Sequence, residues 1–250
     1  MSCNLTHPLI SGANSGIGYA TAKVIASASA HYHVILASRS PEKGNAASEE
    51  IKAAGIKGEI STIELDVTNQ SSIAAAAKRI EADHGHLDVL INNAGIYIKD
   101  GTLKDQLEKT FSTNVIGPAL MTEAFTPLLL KSSKPYLLHI SSKLGSIALA
   151  SDPTRFDYGL DALGYRVSKA ALNMLMKQDS KRLGQQGIKV FAICPGLVES
   201  NLRGESEEER SAGGTAGDPE VSGQTVLRII EGERDADVGR FVDKDGVLPW

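Results

Sequence analysis

An α/β fold is what this 250-residue sequence predicts, built as one domain around a central, mainly parallel seven-stranded sheet with helices on both faces. Three observations predict it. Short apolar runs alternate along the chain with helix-length stretches, the pattern of strand-helix-strand units. A glycine-rich turn, Gly12-Ala13-Asn14-Ser15-Gly16-Ile17-Gly18, separates the first such run from the first helical stretch. The length and a hydrophobic content of 42% are enough for one large core.

Leu9 to Ser11 reads as the first strand, with Pro8 tolerable at its start because only the first position loses a donor. Ile17 to Ala28 follows as a helix, then His33 to Ala37 as a strand and Pro41 to Ala54 as a helix opening on proline. Ile60 to Leu65 alternates as the third strand, Ser71 to Asp83 is helical, and Leu87 to Ile91 is the fourth strand. Leu103 to Leu130 is a long helical stretch in which Pro118 and Pro127 imply breaks or kinks. Tyr136 to Ile140 gives the fifth strand, Tyr165 to Leu183 a helix and Lys189 to Ile193 the sixth strand. Residues 202–223, rich in Gly, Glu and Ser, read as a mobile surface segment bordering the substrate site. Gly239 to Trp250 reads as a seventh strand plus a tail, with Trp250 free to pack on its own chain or on a neighbour.

A net charge of −4 offers no general attraction for nucleic acid or an anionic membrane surface, so neither is expected as a partner. No charged leader and no 18-residue apolar run is visible, which makes a cytoplasmic address the expectation. Cys3 and Cys194 lack metal-ligand spacing and read as reduced thiols. The histidines form no H-x-x-x-H pair, so no metal site is expected, and His31-x-His33 and His84-x-His86 read as exposed at strand or loop edges.

The glycine turn fits a phosphate cradle: the backbone must turn sharply and approach a pyrophosphate where a Cβ would collide, and the phosphates then meet the positive end of a helix. The end of the second strand, Ala37-Ser38-Arg39-Ser40, has no acid to bind two free ribose hydroxyls, whereas Arg39 with Ser38 suits a 2′-phosphate. Tyr165 and Lys169 stand one helical turn apart, so an ammonium on the same face favours the phenolate and draws down a tyrosine pKa that is ordinarily near 10. Tyr19 and Lys23 share the spacing but lie one turn into the first helix, with no serine strand before them, and read as packing and solvation.

In their order along the chain, the glycine turn, Asn92-Asn93-Ala94-Gly95, Asn114, Ser142 in Ser141-Ser142-Lys143-Leu144-Gly145, and Tyr165-Arg166-Val167-Ser168-Lys169 resemble the short-chain dehydrogenase/reductase family over nearly the whole chain. The resemblance implies a Rossmann-type doubly wound fold and an NADP(H)-dependent oxidoreductase, of the carbonyl reductase or alcohol dehydrogenase type, acting on a small carbonyl or alcohol. It implies that Tyr165 is the general acid/base, that Ser142 polarises the substrate carbonyl, that Lys169 also holds the nicotinamide ribose, and that Asn114, on a distorted helix, holds a water linking Lys169 to solvent. Cofactor contacts are implied for Gly12, Asn14, Ser15, Gly16, Ile17, Gly18, Ser38, Arg39, Asp66, Val67, Asn93, Ala94, Gly95, Pro195, Gly196, Val198 and Ser200. An NAD-dependent dehydrogenase of the same fold, or an NADP-binding regulatory protein without turnover, are the alternatives.

Three departures stand out. Ser11 and Ser200 replace threonines usual in the family, and 23 positions separate Ser142 from Tyr165, about twice the family's usual gap. The added segment brings Phe156 and Tyr158 near the active-site mouth, where it either shapes the pocket or interferes with the helix pairing through which many members dimerise. The oligomeric state stays open.

Overall fold

The computed structural model describes residues 5–250, so the reading of Cys3 as a reduced thiol and of the first four residues as no leader lies outside the described residues. The chain runs β1 (Pro8–Ile10), α1 (Gly16–Ala28), β2 (His33–Ser38), α2 (Pro41–Ala53), β3 (Glu59–Glu64), α3 (Gln70–His84) and β4 (Val89–Asn92). It continues through α4 (Leu103–Phe111), a π-helical turn (Ser112–Ile116), α5 (Gly117–Leu129), β5 (Tyr136–Ile140), a short α6 (Ile147–Ala150), α7 (Leu163–Gly184) and β6 (Lys189–Ile193). A one-turn α8 (Glu207–Arg210), α9 (Glu220–Glu231) and β7 (Phe241–Val242) complete it. All seven strands are parallel, in the order β3-β2-β1-β4-β5-β6-β7. The order reverses between β1 and β4, which opens a crevice at their carboxyl ends, the place where such sheets take ligands.

Strand periodicity divides the core into two layers. Ile10, Val34, Leu36, Ile91 and Leu138 face the helices α1, α2 and α9, whereas Leu9, Ile35, Ala37, Leu90 and Leu137 face α3, α5 and α7. Because successive side chains alternate, each near-continuous apolar strand feeds both layers, as a doubly covered parallel sheet requires. Asn69 caps α3 by accepting from the Ser71 and Ser72 amides, and Gly85 closes it in the left-handed conformation. No helix among the described residues is long and apolar enough to cross a membrane.

The long stretch after β4 is distorted at Pro118 and continues through Pro127. Pro118 sits in the first turn of α5 and Pro127 lies inside that helix near its end, and the irregularity is the π-turn just before Pro118. The reason is local: Pro118 has no N–H to give the carbonyl of Asn114, and the Gly117 amide instead reaches back five residues to Ser112.

The segment 202–223 also differs from a mobile loop. Its last four residues belong to α9, where Ser222 and Gly223 are buried. The remainder carries α8, capped by a reciprocal Ser206–Glu209 box, and a bridge between Val198 and Gly217. No element was assigned between Gly223 and Gly239, so α9 is an addition; its Val226, Leu227, Ile229 and Ile230 join the core. Lys23 bonds Glu220 of α9 at 2.6 Å, in keeping with a packing and solvation role for the Tyr19–Lys23 pair. Trp250 packs within its own chain, stacked on Phe241 at 5.7 Å between ring centroids.

The histidine reading needs correction. His31 is exposed, but His33, His84 and His86 are half-buried and gather around a buried His7. They sit just before β1, at the start of β2, at the end of α3 and just before β4, and a parallel sheet brings those ends together.

Candidate active site

The glycine turn is shaped for close approach. Gly12 has a φ of +63°, where a side chain is strained, and a Cβ there would press within 3.0 Å of the Ala94 Cα. A Cβ on Gly18 would lie 2.5 Å from the Asn93 side-chain amide and 2.7 Å from the Gly12 carbonyl oxygen. Gly16 backs onto Ser200, so the turn after β6 meets the turn after β1. Ser15, at the N-cap of α1, makes no side-chain hydrogen bond to the helix, and the first turn, which includes Ile17, has no acidic residue. The first amides of α1 are thus left to serve an anion.

Ser11 uses its hydroxyl to brace the turn after β4. Its Oγ accepts from the Asn93 and Ala94 amides, both at 3.0 Å, and Asn93 donates back to the Ser11 carbonyl at 2.8 Å. The Asn93-Ala94-Gly95 segment is thereby stapled to the glycine turn. At the far end of the crevice, Ser38 is buried and donates to Asn14 at 3.2 Å, while Arg39 is exposed beside them. Asp66 accepts from the Thr68 hydroxyl at 2.7 Å and the Thr68 amide at 2.9 Å, and these bonds, aided by the charge of Arg39, hold its carboxyl below the usual range. Val67 is buried against Gly117. A nicotinamide dinucleotide fits this frame: a turn in which a Cβ on Gly12 or Gly18 would collide, followed by a helix start without a side-chain cap.

The second half of the crevice collects the Tyr165 group. Tyr165 and Lys169, on α7, are both buried, and the Lys169 ammonium lies 5.6 Å from the Tyr165 ring centroid. The Ser142 hydroxyl accepts from the Leu144 amide at 3.2 Å and stands near enough to Tyr165 to lower its pKa, whereas Ser141 donates to Asn173 at 2.5 Å. Asn114 lies at the middle of the π-turn. Its Oδ1 accepts from the Ile96 amide at 2.8 Å, and its Nδ2 donates to the Ile96 carbonyl at 2.9 Å and to Ser168 at 3.0 Å. A Cβ on Gly95 would be 3.5 Å from both Asn114 Oδ1 and Lys169 Nζ, which places the motif after β4 directly against this group.

The electrostatics are not those expected from Tyr165 and Lys169 alone. Burial pushes the Tyr165 hydroxyl well above its usual range, with Cys194 adding to the rise, while the Ser142 hydroxyl and the positive charge of Arg203 pull it back. Lys169 donates to the Ile140 carbonyl at 2.8 Å, and burial brings its own pKa down to about 8. Desolvation here outweighs the attraction between lysine and phenolate.

Three segments surround Tyr165, and they include residues not singled out from sequence. Tyr97 packs its ring 5.6 Å from that of Tyr165, centroid to centroid, and donates to the Asp161 carbonyl at 3.1 Å. Lys99 donates to the Arg203 carbonyl and pairs with Glu209 at 3.3 Å. Arg203 donates to the carbonyls of Val198 at 2.9 Å, Glu209 at 3.0 Å and Arg210. The carbonyl of Val198, a residue implied as a cofactor contact, is engaged by Arg203; Pro195 and Gly196 precede it in the same turn. The position of Tyr97, two residues past Gly95, was the available signal; Arg203 carried none. Of the aromatic pair in the added segment, Phe156 is 87% exposed and Tyr158 55%, while Asp157 is buried and bidentate to Arg155.

Residues 6–211 match the family described as short chain dehydrogenase. The chain is 33% identical to the short-chain dehydrogenase/reductase tropE of Talaromyces stipitatus, over 95% of each chain. It is 35% identical to the short-chain dehydrogenase anuI of Penicillium roqueforti, over 96% of this chain and 94% of that one. Among solved structures it resembles an NADPH-bound carbonyl reductase from chicken fatty liver, with a TM-score of 0.81 and 30% identity over 99% of this chain and 100% of that one. A metagenomic short-chain oxidoreductase in complex with NADP gives a TM-score of 0.71 and 29% identity over 92% of each chain.

Proposed function

The chain belongs to the short-chain dehydrogenase family, and from that premise we propose that it is an NADP(H)-dependent carbonyl reductase, run in either direction on a small carbonyl or secondary alcohol. The observation that carries the reading is the burial of Tyr165, Lys169 and Asn114 with Ser142 half-buried beside Tyr165. A bound nicotinamide supplies hydride to a carbonyl carbon, or takes it back from an alcohol. The protein's part is positional and protonic. Tyr165 gives its hydroxyl proton to the substrate oxygen, and Ser142 orients that oxygen and stabilises the charge that gathers on it. Lys169 holds the ribose side of the cofactor and, with Asn114, replaces the proton that Tyr165 has given. Binding beside the cradle brings the reacting atoms together, and general-acid action adds roughly 10²- to 10⁴-fold.

NADPH and NADH oxidation with a panel of ketones, aldehydes and quinones tests this reading. Turnover with NADPH supports it, and tight NADPH binding without turnover across the panel favours a regulatory protein. The NADP preference rests on Arg39. Arg39→Asp removes a charge-assisted contact and adds repulsion, so the KM for NADPH is expected to rise about 10- to 100-fold with little change for NADH. Equal change with both cofactors would remove the argument.

Lys169 sets the alkaline limit. With a pKa of about 8, its ammonium is present below that value and is lost as pH rises through it. The kcat/KM of the free enzyme is accordingly expected to fall above about pH 8. Lys169→Arg, which cannot titrate in this range, should remove that limb from whatever activity it retains. A profile flat to pH 10 would contradict the assignment.

A further inference from the structure

We propose that His7, His86 and Asp88 form a binding site for one divalent transition-metal ion, with zinc as the probe, at the end of the sheet opposite the cradle. Asp88 Oδ2 lies 3.2 Å from His86 Nε2 and 3.7 Å from His7 Nδ1, and one ligand atom from each residue lies within 4.8 Å of the others. Around a tetrahedral ion with metal–nitrogen bonds of about 2.0–2.1 Å, neighbouring ligand atoms stand about 3.3–3.4 Å apart. The two measured edges fall on either side of that value.

Proton positions point the same way. His86 Nδ1 is 3.2 Å from the His84 carbonyl oxygen, which can only accept, so that nitrogen carries the proton. That leaves Nε2 as the atom 3.2 Å from the Asp88 carboxylate oxygen. His7 Nδ1, 3.7 Å from the same oxygen, is screened from solvent and has no hydrogen-bond partner. A metal ion satisfies both nitrogens and the carboxylate together.

The surroundings suit a built site. The His7 amide donates to Asp88 Oδ2 at 2.8 Å and Ser132 donates to Asp88 Oδ1, so the carboxylate is held while the His84 carbonyl fixes the His86 tautomer. His7 and Asp88 directly precede β1 and β4, whose paired register of Pro8 with Val89 keeps the two backbones adjacent. His84 and His33 adjoin the cluster, with ring centroids 4.6 and 5.7 Å from that of His7. Both also line a groove of about 520 Å³ with Ser61, Glu64, Arg79 and Asp83. His33 is already engaged by Ser61 at 2.9 Å and Glu59 at 3.4 Å, so it is the weaker candidate ligand. Imidazole and carboxylate donors together favour zinc, nickel, copper or ferrous iron over magnesium or calcium. An ion here would clamp the start of β1 to the α3–β4 junction and act on stability.

The test uses the tag-free full chain, stripped with EDTA and titrated with ZnCl₂ by calorimetry and by thermal unfolding. One ion per chain with micromolar or tighter affinity is expected. At a hundredfold excess over Kd the midpoint of unfolding should rise by about 5–10 °C. His86→Gln should weaken binding at least about tenfold, and Ser132→Ala should also weaken it, as loss of outer partners does, while His31→Gln changes nothing. Chelation should leave NADPH turnover unaltered, because the ligands lie far from Tyr165 along the strands. Absence of saturable binding to the wild-type chain would overturn the site and leave His86 and Asp88 as an ion pair. Binding that survives His86→Gln and is lost in His84→Gln would overturn it in favour of the other imidazoles.

Discussion

Tyr165→Phe is expected to lower kcat about a thousandfold and to leave NADPH binding intact. The substitution removes one oxygen from a buried side chain whose ring stays packed beside Tyr97 and Lys169. General-acid action is worth roughly 10²- to 10⁴-fold, and the phenylalanine retains the positioning supplied by the cradle, so the loss should fall within that range. Single-turnover measurements with saturating NADPH would isolate it, since an interaction made only in the transition state lowers kcat and kcat/KM alike. A variant that turns over at the wild-type rate would remove Tyr165 from the reaction.

Gly145→Ala has the largest expected effect outside the reacting groups. A Cβ on Gly145 would stand 2.5 Å from the Lys169 carbonyl carbon, 2.7 Å from the Lys169 Cβ and 2.8 Å from the Ala170 nitrogen. Two of those atoms are backbone and cannot rotate away. Either the segment carrying Ser142 or the 22-residue α7 must move, and both hold reacting groups. Overpacking of this kind destabilises by about 1–3 kcal/mol, which for a chain of this size is about 2–12 °C in the unfolding midpoint. Because the shift parts Ser142 from Tyr165, kcat should fall along with stability. A variant that melts like the wild type, with unchanged kcat, would show that the contact relaxes freely.

The sheet was legible because its signal is local. Each strand is a short apolar run and each crossover helix has its own stripe, so the alternation that implies a parallel sheet could be read directly. Helix α9 escaped because the Gly- and Glu-rich stretch before it masks its start, and its apolar stripe begins inside a segment whose composition reads as loop. In the candidate site, helical spacing placed Tyr165 near Lys169, while Ser142 and Asn114 came only with the family resemblance. Tyr97 and Arg203 depend on three separate loops meeting, which no window of sequence contains. The histidine cluster is illegible for the same reason: its members lie in four segments that only the order of β2, β1 and β4 brings together. The pKa shifts of Tyr165 and Lys169 depend on burial, and a one-turn spacing says nothing of depth.

The π-turn at Ser112–Ile116 bears on how such a site can change by descent. Each residue of an α-helix turns the chain by about 100°, and a π-turn accommodates roughly one residue more than the α-helix around it. Deleting one residue there would let α4 and α5 close into an ordinary rod and swing α4 by about that angle relative to α5. Asn114 would then lose its aim at Ile96 and Ser168. Its alignment is a property of chain length, so no point substitution elsewhere could restore it. A lineage that lost the extra residue would need an insertion to regain the aim of Asn114.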